Sequence, residues 1–449
     1  MSTASIKDWL RKIPDDRHQY THHRRPHKRQ RRQHPVTPDP SEDCAFAMPP
    51  RRGSPFKRQT PATNEEQPED ERTPRPKRLD PRGIDFQDLV LFENKPQGLE
   101  ELLDAIELIM EGKGIVSTSQ QEELTKASKL SKDFKWAGRG GDYFSDDRDS
   151  IGHTPSPDAV SRVLAAAAEC SSNSHPEVNW NMEVHQPVLS MALRPSNQGL
   201  HSHLVNFMGS TQASLIPDYT NSSILKKIDF SIYIKPANDL ERAAPDDSPK
   251  DVIGRCRNDL PENVFNFTDS TPLAQRPIAL SIETKKPSAG FDGAKLQLGV
   301  WQNAHWTFLR HLALVASRNK VAAEKKSAEK KSAEAVAELV AIEQQLMETE
   351  QEQMETEQES IAAEQRPYKL PSFIPGIIIQ GHLWHLIITT PEGRRTVVWQ
   401  SVGIGNTQST KGIYQIVCVL HLLRKWVETT YWPLIWEMVS TGWPKPPES

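Results

Sequence analysis

The run IALSIETK at residues 278–285 is apolar through Ile282 apart from Ser281, then carries Glu283 and Lys285 one residue apart. Side chains on a strand alternate between faces, so Ile278, Leu280 and Ile282 point one way while Ser281, Glu283 and Lys285 point the other. The two charges therefore share a face, roughly 7 Å apart along the strand at ~3.3 Å per residue. The segment KIDFSIYIKP (227–236) divides in the same manner, with Ile228, Phe230, Ile232 and Ile234 on one face and Asp229, Ser231 and Tyr233 on the other. If these strands are neighbours in a sheet, Asp229 sits beside Glu283.

The elements around them predict an α/β domain. SHLVNFMG (202–209) reads as a further strand, and long polar connections, notably 237–263, separate the three. Ahead of them lie a helix at 99–109 ending near Gly112, a loop-like stretch at 138–158, a helix starting near Ser156, and HPEVNWNMEVHQPVLSMAL (175–193), a helix leading into the core. After them come a buried helix at 292–316, a β-hairpin over 375–405 with its turn at Pro391, Glu392 and Gly393, and a Trp- and Leu-rich helix at 409–439. Between these, AEKKS repeats at 323–327 and 328–332, and METEQE at 347–352 and 354–359. Such Ala-, Glu- and Lys-rich sequence without Gly or Pro favours an exposed helical arm, read as an insertion over 321–365. Val336, Leu339, Val340 and Leu346 offer it a face for a coiled-coil protein partner, although apolar heptads are not sustained.

Composition limits how much of the chain packs. Only 36% of the residues are hydrophobic, there are 35 prolines, and mean hydropathy is -0.63. Residues 1–82 are rich in Pro, Arg, His, Glu and Gln and are expected to be a disordered tail, because they hold too little apolar surface to offset the entropy of ordering. Within that tail, HHRRPHKRQRR (22–32) and RPKR (75–78) read as nuclear import signals or nucleic-acid-contacting arms, with a solvated basic linker as the plain alternative. Net charge is only -4, so global charge says little about partners. The expected organisation is a tail (1–82), a helical segment and linker (83–155), and a domain (156–443) interrupted by the arm. Cys44, Cys170, Cys256 and Cys418 lack C-x-x-C spacing and are read as reduced thiols. No secretory signal or membrane span is expected, which leaves an intracellular protein, nuclear rather than cytoplasmic on its basic clusters.

Two carboxylates and a lysine at a sheet end suit a hard Mg²⁺ ion, with Mn²⁺ as the alternative, completed by water and phosphate oxygens. Such an ion lowers the pKa of a bound water, and a lysine stabilises the crowded phosphorus transition state; the chemistry is phosphodiester hydrolysis. On spacing alone, D…E-x-K is common by chance, and an exposed strand with an ion pair is the plain reading.

The order of motifs adds to that spacing. EVNWNMEVHQPVL, KIDFSIYI, IALSIETKKP, AKLQLGVWQNAHWTFL, PGIIIQGHLWHLIIT and IGNTQSTKGIYQIV, in this sequence over about 160–440, resemble the fungal PD-(D/E)XK nuclease-like domain family. The resemblance implies a restriction-endonuclease-like core of a helix, three antiparallel strands, a second helix and a further strand; it supplies no substrate, and DNA or RNA is the expectation from the phosphodiester chemistry alone. It places Asp229 at the motif aspartate, Glu283 and Lys285 at (D/E)XK, Gln297 at an accessory glutamine position, and Glu177 at a first-helix glutamate that some members bring to the metal. Ile228 stands where the nominal proline would be, and more than fifty residues separate Asp229 from Glu283. A catalytically inactive module that keeps the fold and binds nucleic acid or protein is the rival. Other candidates are weak: His382 and His385 fall on opposite strand faces, His201 and His203 lack a third ligand nearby, and the Gly-Arg-Gly-Gly at 138–141 lacks the Lys-Ser/Thr of a phosphate loop.

Overall fold

The computed structural model describes residues 83–194, 199–220, 227–244, 247–343, 368–393 and 395–445. The expected tail, with its basic clusters, and the arm beyond residue 343 lie outside the described residues. So does Leu346, and the side chains of Val336, Leu339 and Val340 are likewise not described.

The chain opens with strand β1 (Ile84–Gln87), then helix α1 (Gln97–Glu111). Leu99, Leu102, Ile106 and Ile109 form the buried stripe of α1 at helical spacing. The helix stops at Gly112, whose φ of 101° only glycine adopts without strain and whose N–H caps the Leu108 and Ile109 carbonyls. Two-residue strands β2 (Val116–Ser117) and β3 (Phe144–Ser145) pair in parallel, with helix α2 (Gln121–Leu130) between them and the single turn α3 (Arg148–Ile151) after them. The stretch at 138–158, expected as loop, thus holds short elements too brief for periodicity to register. Helix α4 (Pro157–Ser172) starts where the sequence predicts: Ser156 accepts the N–H of Ala159, and Pro157 occupies the first turn.

The next helix comes in three parts, α5 (Glu177–Trp180), a π-turn (Asn181–His185) and α6 (Gln186–Leu193). Pro187 explains the widening. It has no N–H for the carbonyl of Glu183 four residues back, and its ring crowds that group, so the backbone opens a turn earlier. The same logic repeats near the C-terminus, where a π-turn (Val427–Tyr431) again lies just ahead of a Trp-Pro step at Trp432.

Strands β4 (Val205–Gly209), β5 (Phe230–Ile234) and β6 (Ile278–Lys285) pair antiparallel, with helix α7 (Pro249–Cys256) folded inside the long polar connection. Ser248 and Asp251 close a capping box at the start of α7. Helix α8 (Phe291–Glu343) follows β6, then strands β7 (Ile374–Gln380), β8 (Leu383–Glu392) and β9 (Arg395–Asn406), and helices α9 (Thr410–Trp426) and α10 (Trp432–Gly442). The single hairpin expected at 375–405 is instead a three-stranded meander. A second reversal, which the sequence reading missed, occurs at Gly381, whose φ of 55° marks a left-handed turn. The sheet has seven strands in the order β1-β9-β8-β7-β6-β5-β4 and is mostly antiparallel; β7 runs parallel to β6, and β1 parallel to β9.

Helices cover both faces of this sheet, which is why its strands are buried almost throughout. On one face α8 lies close: a Cβ at Gly376 would meet Gln302 Nε2 at 2.6 Å, and Trp306 Nε1 donates to Thr389 Oγ1 at 3.1 Å. On the other, Trp384 packs edge-on to His185 of the first π-turn, and a Cβ at Gly405 would meet Gly412 of α9. The segment 84–151 joins the same core: Phe92 stacks on Trp399 with centroids 4.1 Å apart, Gln415 donates to the carbonyls closing α1, and buried Arg148 donates to the carbonyls of Ile115 and Gly152 and meets His421. At ~1.5 Å per residue the 53 residues of α8 extend ~80 Å, and among those whose side chains are described the last buried position is Ala316. Cys170, Cys256 and Cys418 are buried free thiols. Among the described residues no helix is long and apolar enough to cross a membrane.

Substituting Trp306 by alanine removes a fully buried indole and leaves Thr389 without its donor, so urea unfolding should show a loss of about 3–5 kcal/mol. Leu130, which is 88% exposed, should change stability by less than about 0.5 kcal/mol on the same substitution.

Candidate active site

Register brings the charged residues together. Phe230 pairs with Ile282 and Ser231 with Ser281, so the face of Ser231 is the face of Ser281, and both serines are buried. Continuing that alternation one step past each strand pair places Asp229 and Glu283 side by side at the same sheet end. The Asp229 N–H donates to the Ile282 carbonyl at 3.1 Å, and the Thr284 N–H donates to Asp229 Oδ2 at 2.8 Å. The aspartate is thus tied to the strand carrying the glutamate through backbone on both sides of Glu283. Lys285 folds back along the shared face and its Nζ bonds Glu283 Oε1.

A third carboxylate arrives from the helix layer. Glu177 is the first residue of α5, after Pro176, and its Oε2 lies 4.0 Å from Lys285 Nζ. One turn on, Asn181 Nδ2 donates to Asp229 Oδ1 at 3.3 Å. Four of the five residues singled out from sequence therefore converge: Asp229, Glu283, Lys285 and Glu177. Gln297 stands apart from the carboxylates. Its amide donates to the backbone oxygen of Lys227, two residues before Asp229, and among the described residues no hydrogen bond joins it to the three acids.

Burial dominates the electrostatics. Glu283 is completely buried, and removal from water together with the neighbouring Asp229 charge pushes its carboxyl well above the usual range, against the pull of Lys285. Burial likewise raises Asp229, opposed by the Thr284 N–H and by Lys285. Glu177 is raised by burial and by Asp229, with Lys285 opposing. For Lys285 burial pulls downward, but Glu283, Glu177 and Asp229 outweigh it and hold the ammonium above the ordinary lysine value.

Three buried side-chain atoms of β6 have no hydrogen-bond partner: Ser281 Oγ, Thr284 Oγ1 and Glu283 Oε2. Glu283 Oε2 is buried and accepts no hydrogen bond, a costly state for a carboxylate oxygen unless a cation or water occupies its lone pairs. Asp229, Glu283 and, further out, Glu177 fit a hard divalent ion that takes one or two carboxylates and fills its remaining positions with water. Among the described residues no three His, Cys, Asp or Glu groups enclose an ion by themselves.

The sequence reading missed Asn181 and His185. Pro187 was the available signal: a proline inside a helical pattern forces a π-turn, and such turns gather at functional sites. His382, set aside as structural, pairs its Nδ1 with Thr407 Oγ1 and lies edge-on to Trp180, while His385 packs on Phe291.

The raised carboxyls contribute one part of the pH dependence of stability, opposite in sign to that of the buried histidines His185, His305 and His421, whose pKa values burial lowers. The carboxyls' folded-state pKa values exceed the unfolded ones, so the folded protein binds more protons in that interval. Their contribution is therefore present at low pH and lost as pH rises through the raised values. Glu283→Gln removes the largest of these effects. In EDTA, between about pH 5 and about pH 8, the melting temperature of the variant should rise relative to wild type as pH increases. Parallel curves would mean that Glu283 is not the strained group.

A search of curated proteins and a search of solved structures each return no significant match. A family model for the PD-(D/E)XK nuclease superfamily matches residues 125–432, well over half of the chain and every residue of the cluster. This chain, with its Asp, Glu and Lys gathered at one sheet end, belongs to the PD-(D/E)XK nuclease superfamily.

Proposed function

We propose that the protein hydrolyses phosphodiester bonds of DNA or RNA with Mg²⁺ or Mn²⁺. The observation that carries this reading is the convergence of Asp229, Glu283 and Lys285 at one sheet end, with Glu283 Oε2 left unpartnered. In it, Asp229 and Glu283 would hold the ion, with Glu177 as a further carboxylate beside Lys285. When bound, the ion would supply Lewis acidity, lowering the pKa of a coordinated water and neutralising charge on the phosphate.

The chain's own residues do the rest. Lys285 is shared between Glu283 and Glu177, and with those carboxylates neutralised its Nζ would be available to donate to the attacking water and to a nonbridging oxygen of the scissile phosphate. Without the ion the three carboxylates hold the ammonium above the ordinary lysine value, and the role assigned to it is that of donor and electrostatic stabiliser. Gln297 acts through the backbone: by holding the Lys227 carbonyl it fixes the approach of the chain to Asp229. The basic clusters HHRRPHKRQRR and RPKR support a nuclear location and add sequence-independent attraction for nucleic acid.

Incubation with mixed DNA and RNA substrates should show cleavage that needs Mg²⁺ or Mn²⁺ and is abolished by EDTA. Lys285→Ala should lower the rate by about 10² to 10³, the scale of losing one transition-state donor. Cleavage unchanged by that substitution would overturn the assignment. A wild type that cuts nothing yet binds nucleic acid would favour the inactive-module reading.

A further inference from the structure

Asp229 is reached from the first π-turn by a chain of hydrogen bonds that the proposed reaction does not consume. Asn181 Nδ2 donates to Asp229 Oδ1 at 3.3 Å, and Asn181 Oδ1 lies 2.9 Å from His185 Nδ1. A side-chain amide has one donating and one accepting end, so whichever end His185 takes, the other is presented to Asp229. The neutral ring carries one proton: on Nδ1 it donates to Asn181 Oδ1, leaves the amide NH₂ for the carboxylate and sets a bare Nε2 against the Gly381 oxygen; on Nε2 it donates to Gly381 and accepts the Asn181 amide, turning Oδ1 toward Asp229. The ring itself cannot swing. His185 is completely buried, lies against Trp180 with centroids 5.9 Å apart and meets Trp384 edge-on at the same distance; its Nε2 faces the Gly381 oxygen at 3.1 Å.

The far end of this chain is anchored to the other side of the cluster. The Gly381 N–H donates to the Lys285 carbonyl at 2.8 Å, and a Cβ on Gly381 would collide with the ring of Pro287. In a regular α-helix residues four apart lie ~40° round from each other, so Glu177, Asn181 and His185 would drift off a common line. The widened turn over Asn181–His185, with the Gln186 N–H returning to the Asn181 carbonyl, takes up part of that drift.

We propose that Asn181 and His185 are positioning residues for Asp229: the imidazole sets which end of the Asn181 amide meets the carboxylate, and the amide holds that carboxylate in its ion-binding orientation. The proposal rests on the reading of Asp229 as a ligand of the divalent ion. Partners behind a metal ligand fix its direction and basicity, and their loss weakens metal binding by about 10–100-fold.

The test is Mn²⁺ binding alone, followed by calorimetry on the full chain without nucleic acid, alongside melting temperature in EDTA. Asn181→Leu, which keeps the shape and removes both polar ends, should weaken Mn²⁺ affinity by about 10–100-fold while the variant still melts cooperatively in EDTA. His185→Phe should weaken it in the same direction, and His185→Gln, which restores a donor to Asn181 Oδ1, should recover much of the loss. A structural role for His185 would move the melting temperature without this pattern of rescue. Should Asn181→Leu fold poorly, Asn181→Ser makes the same comparison with a smaller change. If Asp229→Asn abolishes Mn²⁺ binding while the Asn181 and His185 variants bind as wild type does, the positioning proposal is overturned and the metal site stands. If Asp229→Asn binds Mn²⁺ as tightly as wild type, the metal reading itself falls.

Discussion

The contact between Lys285 Nζ and Glu283 Oε1 makes the rest of the site sustainable. A carboxylate with no exposed surface beside a second, half-buried carboxylate is an expensive arrangement, and without a cation it would be held neutral. The ammonium offsets part of that cost for three acids at once, and the same acids keep it charged. One lysine is still too little for three carboxylates. Glu283 Oε2 is left without a partner, and the excess negative charge is what a divalent ion would neutralise.

The fold serves this cluster by bringing together three distant parts of the chain. Antiparallel pairing of β5 and β6 sets Asp229 against Glu283, more than fifty residues apart in sequence, across a connection over 235–277 that holds α7 and short turns. The helix layer on one face supplies Glu177 and Asn181, and the helix on the other supplies Gln297 through the Lys227 carbonyl. The site thus lies where the β5–β6 pair ends and helices from both layers reach its rim. Covering both faces lets an eight-residue strand such as β6 be buried over seven positions and still end in charge.

Period-2 alternation was enough to assign Asp229, Glu283 and Lys285 to one face, because register in a sheet buried on both sides leaves little freedom to slip. The caps of α1 and α4 were equally legible: Gly112 and Ser156 act locally, through their own backbone geometry. What sequence did not show is what depends on distant partners or on very short elements. β1 is four residues long and exists because β9 offers an edge, β2 and β3 are two residues each, and the turn at Gly381 hides inside a continuous apolar run. Gln297 illustrates a further limit: its position in the motif order suggested the cluster, while its reach takes it to a backbone carbonyl. Asn181 and His185 were hidden because the turn that presents them is set by Pro187, a residue that touches neither.

In the proposed function a divalent ion sits at this sheet end between Asp229 and Glu283. Crystals of the protein soaked in Mn²⁺, with data collected at a wavelength where manganese scatters anomalously, test it directly. The account predicts an anomalous peak within ligand distance of carboxylate oxygens from both residues, with Glu283 Oε2 among them, and loss of that peak in Asp229→Asn. An empty sheet end in manganese-soaked crystals, with Lys285 still paired to Glu283 and Oε2 still without a partner, would contradict it.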